Sequence, residues 1–588
     1  MKKLTDKLTD IMGAAFEKAG YDAALGAVRV SDRPDLCQYQ CNGAMAAAKK
    51  YHKAPFMIAD EVAAALDADA AEAVEVSVVK PGFLNLNLKP AFLLSCVQAV
   101  AEDENLSIPK VENPKKIVID YGGPNVAKPL HVGHLRAAVI GESVKRLCRT
   151  VGNEVLGDVH LGDWGLQMGL IITEMKHRNP ELPYFTDSTE YPEEAPFTIS
   201  ELEEIYPAAS AKSKEDEEYK KEALEATHQL QLGNPGYRAL WNQILSVSIA
   251  DLKRNYERLN VSFDLWKSES DAQPYIPAMV EDLKNRGIAF YDQGALVVDV
   301  TEPDDKKEIP PCIILKSDGA SLYSTTDIAT IVERKKLFNP DEIIYVVDKR
   351  QGMHFTQVFR TVRKAGIVSD ETGLTHIGFG TMNGKDGKPF KTRDGGVMRL
   401  SSLLDEIETE MKAKIRDNDN VRDEDTESTA EKVALAAVKY GDLSNQASKD
   451  YVFDVEKFTS FEGNTGPYIL YTIVRIRSIL EKAAEGDLAE NLSAALLQPE
   501  TDAESALMLD LAVFGSSIYE AYEELAPHRI CSYIYQLSND FNRFYHGTRI
   551  LGEEDAEKRR SYLALLSVTL KVLEKSIDIL GFDAPAHM

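Results

Sequence analysis

The sequence contains few cysteines and no long apolar run. The cysteines are scattered without paired CxxC spacing, so they indicate neither a zinc site nor a disulfide framework, and we expect buried thiols in a reducing cytoplasmic protein with no metal site of its own. No apolar stretch is long enough to span a bilayer. The first residues place Leu4, Leu8, Met12 and Phe16 at helical spacing, unlike the apolar centre of a signal peptide. The six cysteines are Cys37, Cys41, Cys96, Cys148, Cys312 and Cys531.

Positive charge is also scarce. The chain has 67 Lys and Arg against 94 Asp and Glu, a net charge of −27. Such a charge repels phosphate backbones, so composition by itself counts against a nucleic-acid partner unless cations cluster on one surface. With 588 residues, of which 44% are hydrophobic, the chain is too long for one core and is typical of a multi-domain enzyme.

Three regions with different patterns follow one another along the chain. Residues 1–112 combine helical spacing with two alternating, strand-like runs around Pro81 and Gly82, which predicts a small α+β domain. Residues 113–400 alternate strands and helices, interrupted by an insertion at about 166–310 that is rich in charged helices. Residues 401–588 show an acidic run, predicted to be a solvated surface segment, and then only helical patterns, which predict an all-α bundle.

The middle region carries the clearest fold signal. IVIDYG at 117–122, EIIYVVD at 342–348 and LTHIGFG at 374–380 are typical of buried strands, and helical segments separate them. This alternation predicts an α/β fold with a parallel sheet and helices on both faces. The pair Asp318-Gly319, between CIILK and SLYST, predicts a tight hairpin.

A candidate phosphate site follows the first of these strands. In AKPLHVGHLR, at 127–136, a loop brings His131 and His134 to the start of a predicted helix, with Gly133 between them. Glycine allows a nucleotide to approach the backbone closely, and imidazoles together with free amides at a helix N-terminus attract phosphate charge.

The residues around this loop, DYGGPNVAKPLHVGHLR, resemble the HIGH signature of class I aminoacyl-tRNA synthetases, specifically that of the arginyl enzymes. The resemblance covers essentially the whole chain and is weakest at 170–310. It implies a Rossmann-like catalytic domain of the HIGH superfamily between the two flanking modules. Further matches occur in order along the chain: GDWGLQMG at 162–169, SLYSTTD at 321–327, YVVDKRQGMHFTQVF at 345–359, GKDGKPFKTRDGG at 384–396, EGNTGPYILYTIVRIR at 462–477 and NDFNRFYH at 539–546.

The resemblance also implies a reaction. Arginine attacks the α-phosphate of ATP, with Mg²⁺ as cofactor, and the arginyl-adenylate then acylates the terminal adenosine of tRNA(Arg). The expected partners are L-arginine and tRNA(Arg), and the family is mostly monomeric. His131 and His134 would stabilise phosphate charge as catalytic residues. The ATP-binding residues would be His131, Gly133, His134, Gly380 and Met382.

The second class I signature, Lys-Met-Ser-Lys-Ser, is degraded here, because PFKTR at 389–393 takes its place. Arginyl enzymes commonly depart from the class in this way, and a lysine just before the HIGH loop is thought to compensate. This resemblance favours Lys128 and Lys391 as the catalytic cations, ahead of the other cations of the loop.

A guanidinium carries five donors in a planar fork, so an arginine pocket requires carboxylates and a polar orienting group. The resemblance assigns the binding of the arginine side chain to five residues. Two of them, Tyr323 and Asp327, are four residues apart and would share one helix face. Where Asp120 stands, the family often has glutamate. The predicted arginine-binding set is Asp120, Asn125, Tyr323, Asp327 and Gln351.

Two regions are predicted to contact tRNA. In FLNLNL, Phe83, Asn85 and Asn87 fall on one strand face, which we expect to be free to read unpaired bases, and the resemblance implies that Phe83 and Asn85 contact the D-loop. In the C-terminal bundle, Tyr468 and Asn542 lie in segments that resemble the anticodon-binding helices of the family.

The residues present in the sequence count against three rival functions. A synthetase for glutamate or cysteine would not need acidic pocket residues. A small adenylyltransferase of the HIGH fold would lack the two flanking modules. A non-catalytic tRNA-binding relative would be expected to lose His131, His134 or the pocket acids.

Overall fold

The computed structural model describes residues 3–33, 35–388, 398–416, 426–484 and 495–588. Its backbone contacts divide the chain into two compact units. The first contains residues 1–111, 461–579 and 583–588, and the second contains residues 112–460 and 580–582. Among the described residues, no helix has both the length and the apolar character that a membrane crossing requires.

The N-terminal part of the first unit is a helix-covered antiparallel sheet with strand order β1-β2-β4-β3. The predicted amphipathic helix is present and buries Leu8, Met12 and Phe16. The alternating runs around Pro81 and Gly82 form the antiparallel pair β3 and β4, as predicted. The elements are α1 (Leu4–Lys18), β1 (Val28–Val30), β2 (Tyr39–Cys41), α2 (Gly43–Tyr51), α3 (Pro55–Ala64), α4 (Ala68–Ala73), β3 (Val74–Val79), β4 (Phe83–Leu88) and α5 (Pro90–Glu102).

The C-terminal part of the first unit is helical. Its longest helices carry apolar stripes that meet in a core, in which Phe514, Ile534 and Phe541 are completely buried. The helices are α18 (Gly466–Ala484), α19 (Asp502–Ala512), α20 (Phe514–Glu523), α21 (Pro527–Gly547) and α22 (Ala556–Leu580).

The second unit is built on the predicted parallel sheet, with strand order β11-β10-β5-β6. The predicted strands at 117–122, 342–348 and 374–380 are confirmed as β5, β10 and β11. The apolar strands β5 and β10 are central, so their carboxyl ends form one edge of the sheet between covering helices. The elements are β5 (Lys116–Tyr121), α6 (Val132–Thr150), β6 (Glu154–Asp158), α13 (Tyr323–Leu337), β10 (Glu342–Asp348), α14 (Gly352–Lys364) and β11 (Gly373–Phe379).

Between β6 and α13 the chain forms helices and a three-stranded antiparallel sheet, β7-β8-β9. The expected turn at Asp318-Gly319 is present, since Gly319 has φ +81° and Lys316 N–H donates to the Ala320 carbonyl. The prediction of a hairpin is wrong for its second arm, because the residues from Tyr323 onward form the helix α13 and not a strand. The elements are α7 (Leu166–Arg178), α8 (Ile199–Glu215), α9 (Glu217–Leu232), α10 (Pro235–Arg258), α11 (Glu269–Ala272), α12 (Ile276–Asn285), β7 (Ala289–Asp292), β8 (Ala295–Val298) and β9 (Cys312–Leu315).

The compact second unit continues past residue 400, where we predicted a domain boundary, to Ser460. The reason is that α15 and α16 pack against α6. Most of the predicted acidic surface segment, at 417–425, lies outside the described residues. The elements of this part are β12 (Met382–Asn383), α15 (Leu400–Arg416), α16 (Thr426–Leu443), β13 (Tyr451–Val452) and α17 (Val455–Phe458).

Candidate active site

A cavity of about 550 Å³ opens at the carboxyl ends of β5 and β10. Clefts at this edge of a parallel sheet are the usual ligand sites of doubly wound folds. The cavity brings together seven of the residues that the sequence singled out, from three separate stretches of the chain. They are Asp120, His131, Gly133, His134, Tyr323, Asp327 and Gln351.

The histidine loop forms the N-terminal cap of α6. His131 is the N-cap residue, with its Nδ1 accepting the Gly133 N–H at 3.0 Å, and His134 Nδ1 accepts the His131 N–H at 3.1 Å. The Val132 N–H donates to the Met398 carbonyl. The expectation of free amides for phosphate is therefore wrong, because the two imidazoles and Met398 already satisfy these first amides of the helix.

Both imidazoles are neutral at physiological pH. Burial lowers the pKa of His134 to about 3, with the neighbouring His131 adding to the effect, and burial together with the Lys128 charge lowers the pKa of His131. A neutral imidazole whose Nδ1 accepts a hydrogen bond carries its proton on Nε2. Each ring therefore retains one Nε2–H donor, and this donor can bind an anionic oxygen without a charged imidazolium.

The acidic residues of the cavity come from different elements. Asp327 lies one turn after Tyr323 on α13, as the spacing predicted, and its Oδ2 is 2.5 Å from His354 Nε2. Asp120 is the penultimate residue of β5 and accepts a hydrogen bond from Arg334 at 2.6 Å. Tyr323 is 74% exposed at the cavity wall, so its ring is available to a ligand.

Arg334 also donates to Asp158 at 2.7 Å, and both Arg334 and Asp158 are almost completely buried. Asp120, Asp158 and His160 form the group of carboxylate and imidazole atoms, all within 4.8 Å of one another, that could in principle hold a metal ion. Because the Arg334 guanidinium already supplies a cation to both carboxylates, this group does not fit a metal site.

Sequence reasoning did not identify several lining residues. Asp348 ends β10, so a search for polar residues at strand ends would have found it, and His354 lies in the first turn of α14. Glu269 opens the short helix α11, far from any signature motif, and its position gave no signal. Burial, together with the charges of Asp163 and Asp327, raises the pKa of Glu269 to about 7.

Family models match the chain in three consecutive stretches. The model for the catalytic domain of class I tRNA synthetases of the arginine type matches residues 96–455. The model for the arginyl-tRNA synthetase N-terminal domain matches residues 2–88, and the DALR anticodon-binding domain matches residues 469–588. The chain belongs to the arginyl-tRNA synthetase family.

Full-length relatives agree with this assignment. The arginine–tRNA ligase of Agathobacter rectalis is 62% identical over 600 residues, and that of Alkaliphilus oremlandii is 53% identical over 592 residues; in both cases the whole of each chain is covered. The arginyl-tRNA synthetase structure from Thermus thermophilus has a TM-score of 0.79 at 25% identity and covers all of both chains. The Plasmodium falciparum structure, at 23% identity with a TM-score of 0.81, covers 100% of this chain and 99% of its own and supports the fold. The predicted α/β class and the arginyl-type resemblance are therefore confirmed.

Other residues predicted for the arginyl-tRNA synthetase site lie outside the cavity lining. Lys128 stands next to the histidine loop, with its Nζ 4.4 Å from the centroid of the Tyr206 ring. Asn125 is exposed and pairs through its backbone with Gly162. Gly380 follows the lining residue Phe379 and gives its carbonyl to Arg136 at 2.8 Å. Met382 is buried in β12, and Lys391 lies outside the described residues, as does PFKTR at 389–393.

In the N-terminal sheet, Phe83 is half-buried and Asn85 is only 6% exposed. Asn85 Oδ1 accepts a hydrogen bond from Gln40 on the neighbouring strand β2 at 3.0 Å, and Asn87 Oδ1 accepts the Gln38 N–H at 2.9 Å. The expectation that these amides stand free on an open strand face is wrong, because alternation along β4 could not reveal the glutamines of the adjacent strand.

In the helical part, Tyr468 and Asn542 belong to one polar network. The Tyr468 hydroxyl donates to Asn539 Oδ1 at 2.7 Å and accepts from Asn542 at 2.9 Å, and Asn542 Oδ1 accepts from Arg475 at 2.7 Å. The Arg475 guanidinium lies between the rings of Tyr471 and Tyr545, 4.6 and 5.1 Å from their centroids. Half-buried aromatic, amide and guanidinium groups are therefore joined in one surface patch.

Proposed function

We propose that the chain activates L-arginine with ATP to arginyl-adenylate and transfers the arginyl group to the terminal adenosine of tRNA(Arg). One observation carries this proposal: a single cavity combines carboxylates suited to a guanidinium with two neutral imidazole donors suited to phosphate. Membership of the arginyl-tRNA synthetase family and full-length relatives named arginine–tRNA ligase support it.

In the first step, an oxygen of the arginine carboxylate forms a bond to the α-phosphorus of ATP, and the bond to pyrophosphate breaks. Such a displacement requires alignment and stabilisation of charge more than covalent help. The Nε2–H groups of His131 and His134 would donate to the phosphate oxygens as negative charge shifts to the leaving group. Lys128 lies beside both histidines and would add positive charge, and Lys391 keeps its proposed role in pyrophosphate contact.

Selection of arginine would rest on α13 and its surroundings. Asp327 lines the cavity, and one of its carboxylate oxygens is held by His354, which would orient the carboxylate for a guanidinium. Gln351 and Tyr323 line the same space and would contact the guanidinium fork, while Asp120, partly neutralised by Arg334, would contribute less charge. Lysine would leave buried acceptors unpaired, so the site would reject it. Asn125 lies nearby and keeps its proposed role in binding the amino acid.

In the second step, a ribose hydroxyl of the terminal adenosine attacks the carbonyl of the adenylate, its proton is lost, and AMP leaves. The surfaces proposed for tRNA are the β4 region, with Phe83 and Asn85, and the patch of Tyr468, Asn542 and Arg475. Stacking on exposed aromatic rings and hydrogen bonds from amides are the usual means of binding unpaired RNA bases.

Further aspects of the proposal concern the whole molecule. Gly133, Gly380 and Met382 would border the adenosine of ATP, and Mg²⁺ would arrive bound to the ATP phosphates as part of the substrate. The module at residues 1–112 would bind the D-loop, the second compact unit would hold the active site with its insertion at 166–310, and the helical part of the first unit, from residue 461, would bind the anticodon. We expect a cytoplasmic monomer.

The test is pyrophosphate exchange into ATP with each of the twenty amino acids, with and without tRNA(Arg). We expect exchange with arginine alone and only in the presence of the tRNA, because arginyl enzymes usually require it. Exchange with glutamate or cysteine would favour the rival synthetases, and exchange without any amino acid would favour an adenylyltransferase.

A further inference from the structure

Helix α8 of the insertion contacts the residues that flank the histidine loop. On α8, the Tyr206 ring lies under the Lys128 ammonium at 4.4 Å, and Lys128 directly precedes Pro129 and the loop. An ammonium over an aromatic face is attracted by the quadrupole of the ring. Tyr206 is also close enough to the lining residue Tyr323 to help raise the pKa of that residue.

The same helix reaches a second segment next to the histidines. Glu203 lies three residues before Tyr206, which places both on one face of α8, and it pairs with Arg399 at 2.5 Å. The Glu203 side chain is only 7% exposed, whereas that of Arg399 is 53% exposed, so a buried carboxylate pairs with a guanidinium that still reaches solvent.

Arg399 belongs to a short segment that pairs with the histidine loop. Its backbone forms an antiparallel bridge with His131, and the Leu400 N–H donates to the Leu130 carbonyl. One face of α8 therefore contacts the chain on both sides of this pairing, through Lys128 and through Arg399.

Helix α8 is held at its start and along a buried stripe. A capping box between Thr198 and Glu201 fixes the first turn, and Leu202, Ile205 and Ala209 are buried on the side of the helix next to Glu203 and Tyr206. Pro207 lies inside the helix, directly after Tyr206. The buried stripe therefore holds the turns of α8 that carry Glu203 and Tyr206.

We propose that α8 positions the ATP-binding side of the cavity, with Tyr206 orienting Lys128 and Glu203 orienting the segment at Arg399. The insertion thereby determines how tightly the enzyme holds ATP, while arginine is bound by other elements. This inference rests on the proposed role of Lys128 in phosphate binding.

The test uses the full-length enzyme in arginine-dependent pyrophosphate exchange with saturating tRNA. Tyr206→Leu removes the ring, and we expect the KM for ATP to rise about threefold to tenfold, from the usual strength of a cation–π contact. The KM for arginine should stay within about twofold of the parent value. Tyr206→Phe keeps the aromatic face and should behave as the parent enzyme does.

The double variant Lys128→Met/Tyr206→Leu shows whether Tyr206 affects ATP binding by positioning Lys128 or independently of Lys128. If Tyr206 acts through Lys128, the KM for ATP of the double variant equals that of Lys128→Met alone. The inference would be overturned if the increases in the KM for ATP of the two single variants multiplied in the double variant. It would also be overturned if Tyr206→Phe were as impaired as Tyr206→Leu. A Lys128→Met enzyme with normal kinetics would overturn both the role of Lys128 and the inference, whereas a normal Tyr206→Leu enzyme beside an impaired Lys128→Met enzyme would overturn the inference alone.

A second arm does not depend on Tyr206 and remains informative if Tyr206→Leu folds poorly. Glu203→Gln removes the charge that holds Arg399 and should raise the KM for ATP with little change in melting temperature. Glu204→Gln, on an exposed neighbouring residue, is the matched control and should have no effect. An unchanged KM for ATP in Glu203→Gln would contradict the proposed role of α8 at the second segment.

Discussion

The carboxylates of the cavity differ in the partners that the protein supplies. Asp120 shares the Arg334 guanidinium with Asp158, Asp327 is hydrogen-bonded to His354, and Glu269 has no donor within hydrogen-bond distance among the described residues. Asp348, the fourth carboxylate of the lining, is paired with Arg350. An incoming guanidinium therefore meets two carboxylates that are largely neutralised by arginines, one that is oriented by a histidine, and one whose charge burial has suppressed.

Asp327 should be the residue whose charge matters most for arginine. Asp327→Asn keeps the size of the side chain and an acceptor for His354 but loses the anion. A hydrogen bond to a charged group is worth about 1.5–3 kcal/mol, so the KM for arginine should rise about tenfold to a hundredfold. The exposed Asp304→Asn is the control for a change of charge alone. An unchanged KM would remove Asp327 from the arginine pocket.

We expect Glu269 to make arginine binding depend on pH. Its pKa of about 7 means that the carboxyl is mostly protonated at pH 6 and mostly ionised at pH 8. A guanidinium favours the ionised form, so the KM for arginine should fall as pH rises from 6 to 8. The measurement is the KM at several pH values for the parent enzyme and for Glu269→Gln, whose profile should be flatter over this range.

The same residue affects stability with a definite sign. Because its pKa in the folded protein lies above the ordinary 4.5, the folded state keeps a proton that the unfolded state loses. The contribution of Glu269 to the free energy of unfolding therefore falls as pH rises from about 4.5 to about 7. The stability of Glu269→Gln should not show this decrease with pH. If the urea-unfolding midpoint had the same pH dependence in the parent enzyme and in Glu269→Gln, the raised pKa would be contradicted.

At the level of elements, one buried ion pair joins α6 to α16. Arg136 Nε lies 3.0 Å from Asp442 Oδ2, and both side chains are almost completely buried. Tyr451 donates to the same carboxylate oxygen, and Arg136 also donates to the Gly380 carbonyl. The helix that carries the two histidines is thus tied to the helices after residue 400.

Removing one partner of this pair should be costly, because it leaves the other charge buried and uncompensated. Arg136→Met should destabilise the enzyme by about 3–5 kcal/mol, measured from the urea-unfolding transition. Lys50→Met breaks an exposed pair with Asp22 and should leave the urea-unfolding transition nearly unchanged. A small effect of Arg136→Met would mean that water or a rearranged side chain compensates Asp442.

For the whole molecule, the net charge of −27 requires that RNA be bound by local chemistry and not by overall attraction. The patch of Tyr468, Asn542 and Arg475 offers such chemistry. The Arg475 guanidinium lies between the rings of Tyr471 and Tyr545. The Tyr468 hydroxyl is hydrogen-bonded to the side-chain amides of Asn539 and Asn542.

Tyr468→Phe removes that hydroxyl and frees the side chains of Asn539 and Asn542 to rotate. The KM for tRNA in aminoacylation should rise about threefold to tenfold, from the loss of hydrogen-bond orientation, while kcat at saturating tRNA stays near the parent value. Tyr519→Phe, on α20, is the matched control. If both variants have the parent KM, the Tyr468 patch does not contact tRNA.

Much of the fold and part of the site could be predicted from local pattern. The strands β5, β10 and β11, the helix after the histidines and the Tyr323–Asp327 pair depend on periodicity within one element, so a single stretch of sequence contains the necessary information. The predictions failed where neighbouring strands or loops decide the outcome, as for the amide of Asn85, the amides at the start of α6 and the second arm of the hairpin at Gly319.

The sequence alone determined the order of strands and helices, the family resemblance and the residue types available for chemistry. Tertiary structure decided which of those residues have partners: Arg334 reaches Asp120 across 214 positions, and Arg136 reaches Asp442 across 306. The physical reason is that burial and charge pairing depend on which elements pack together, and no spacing along the chain encodes that for residues so far apart.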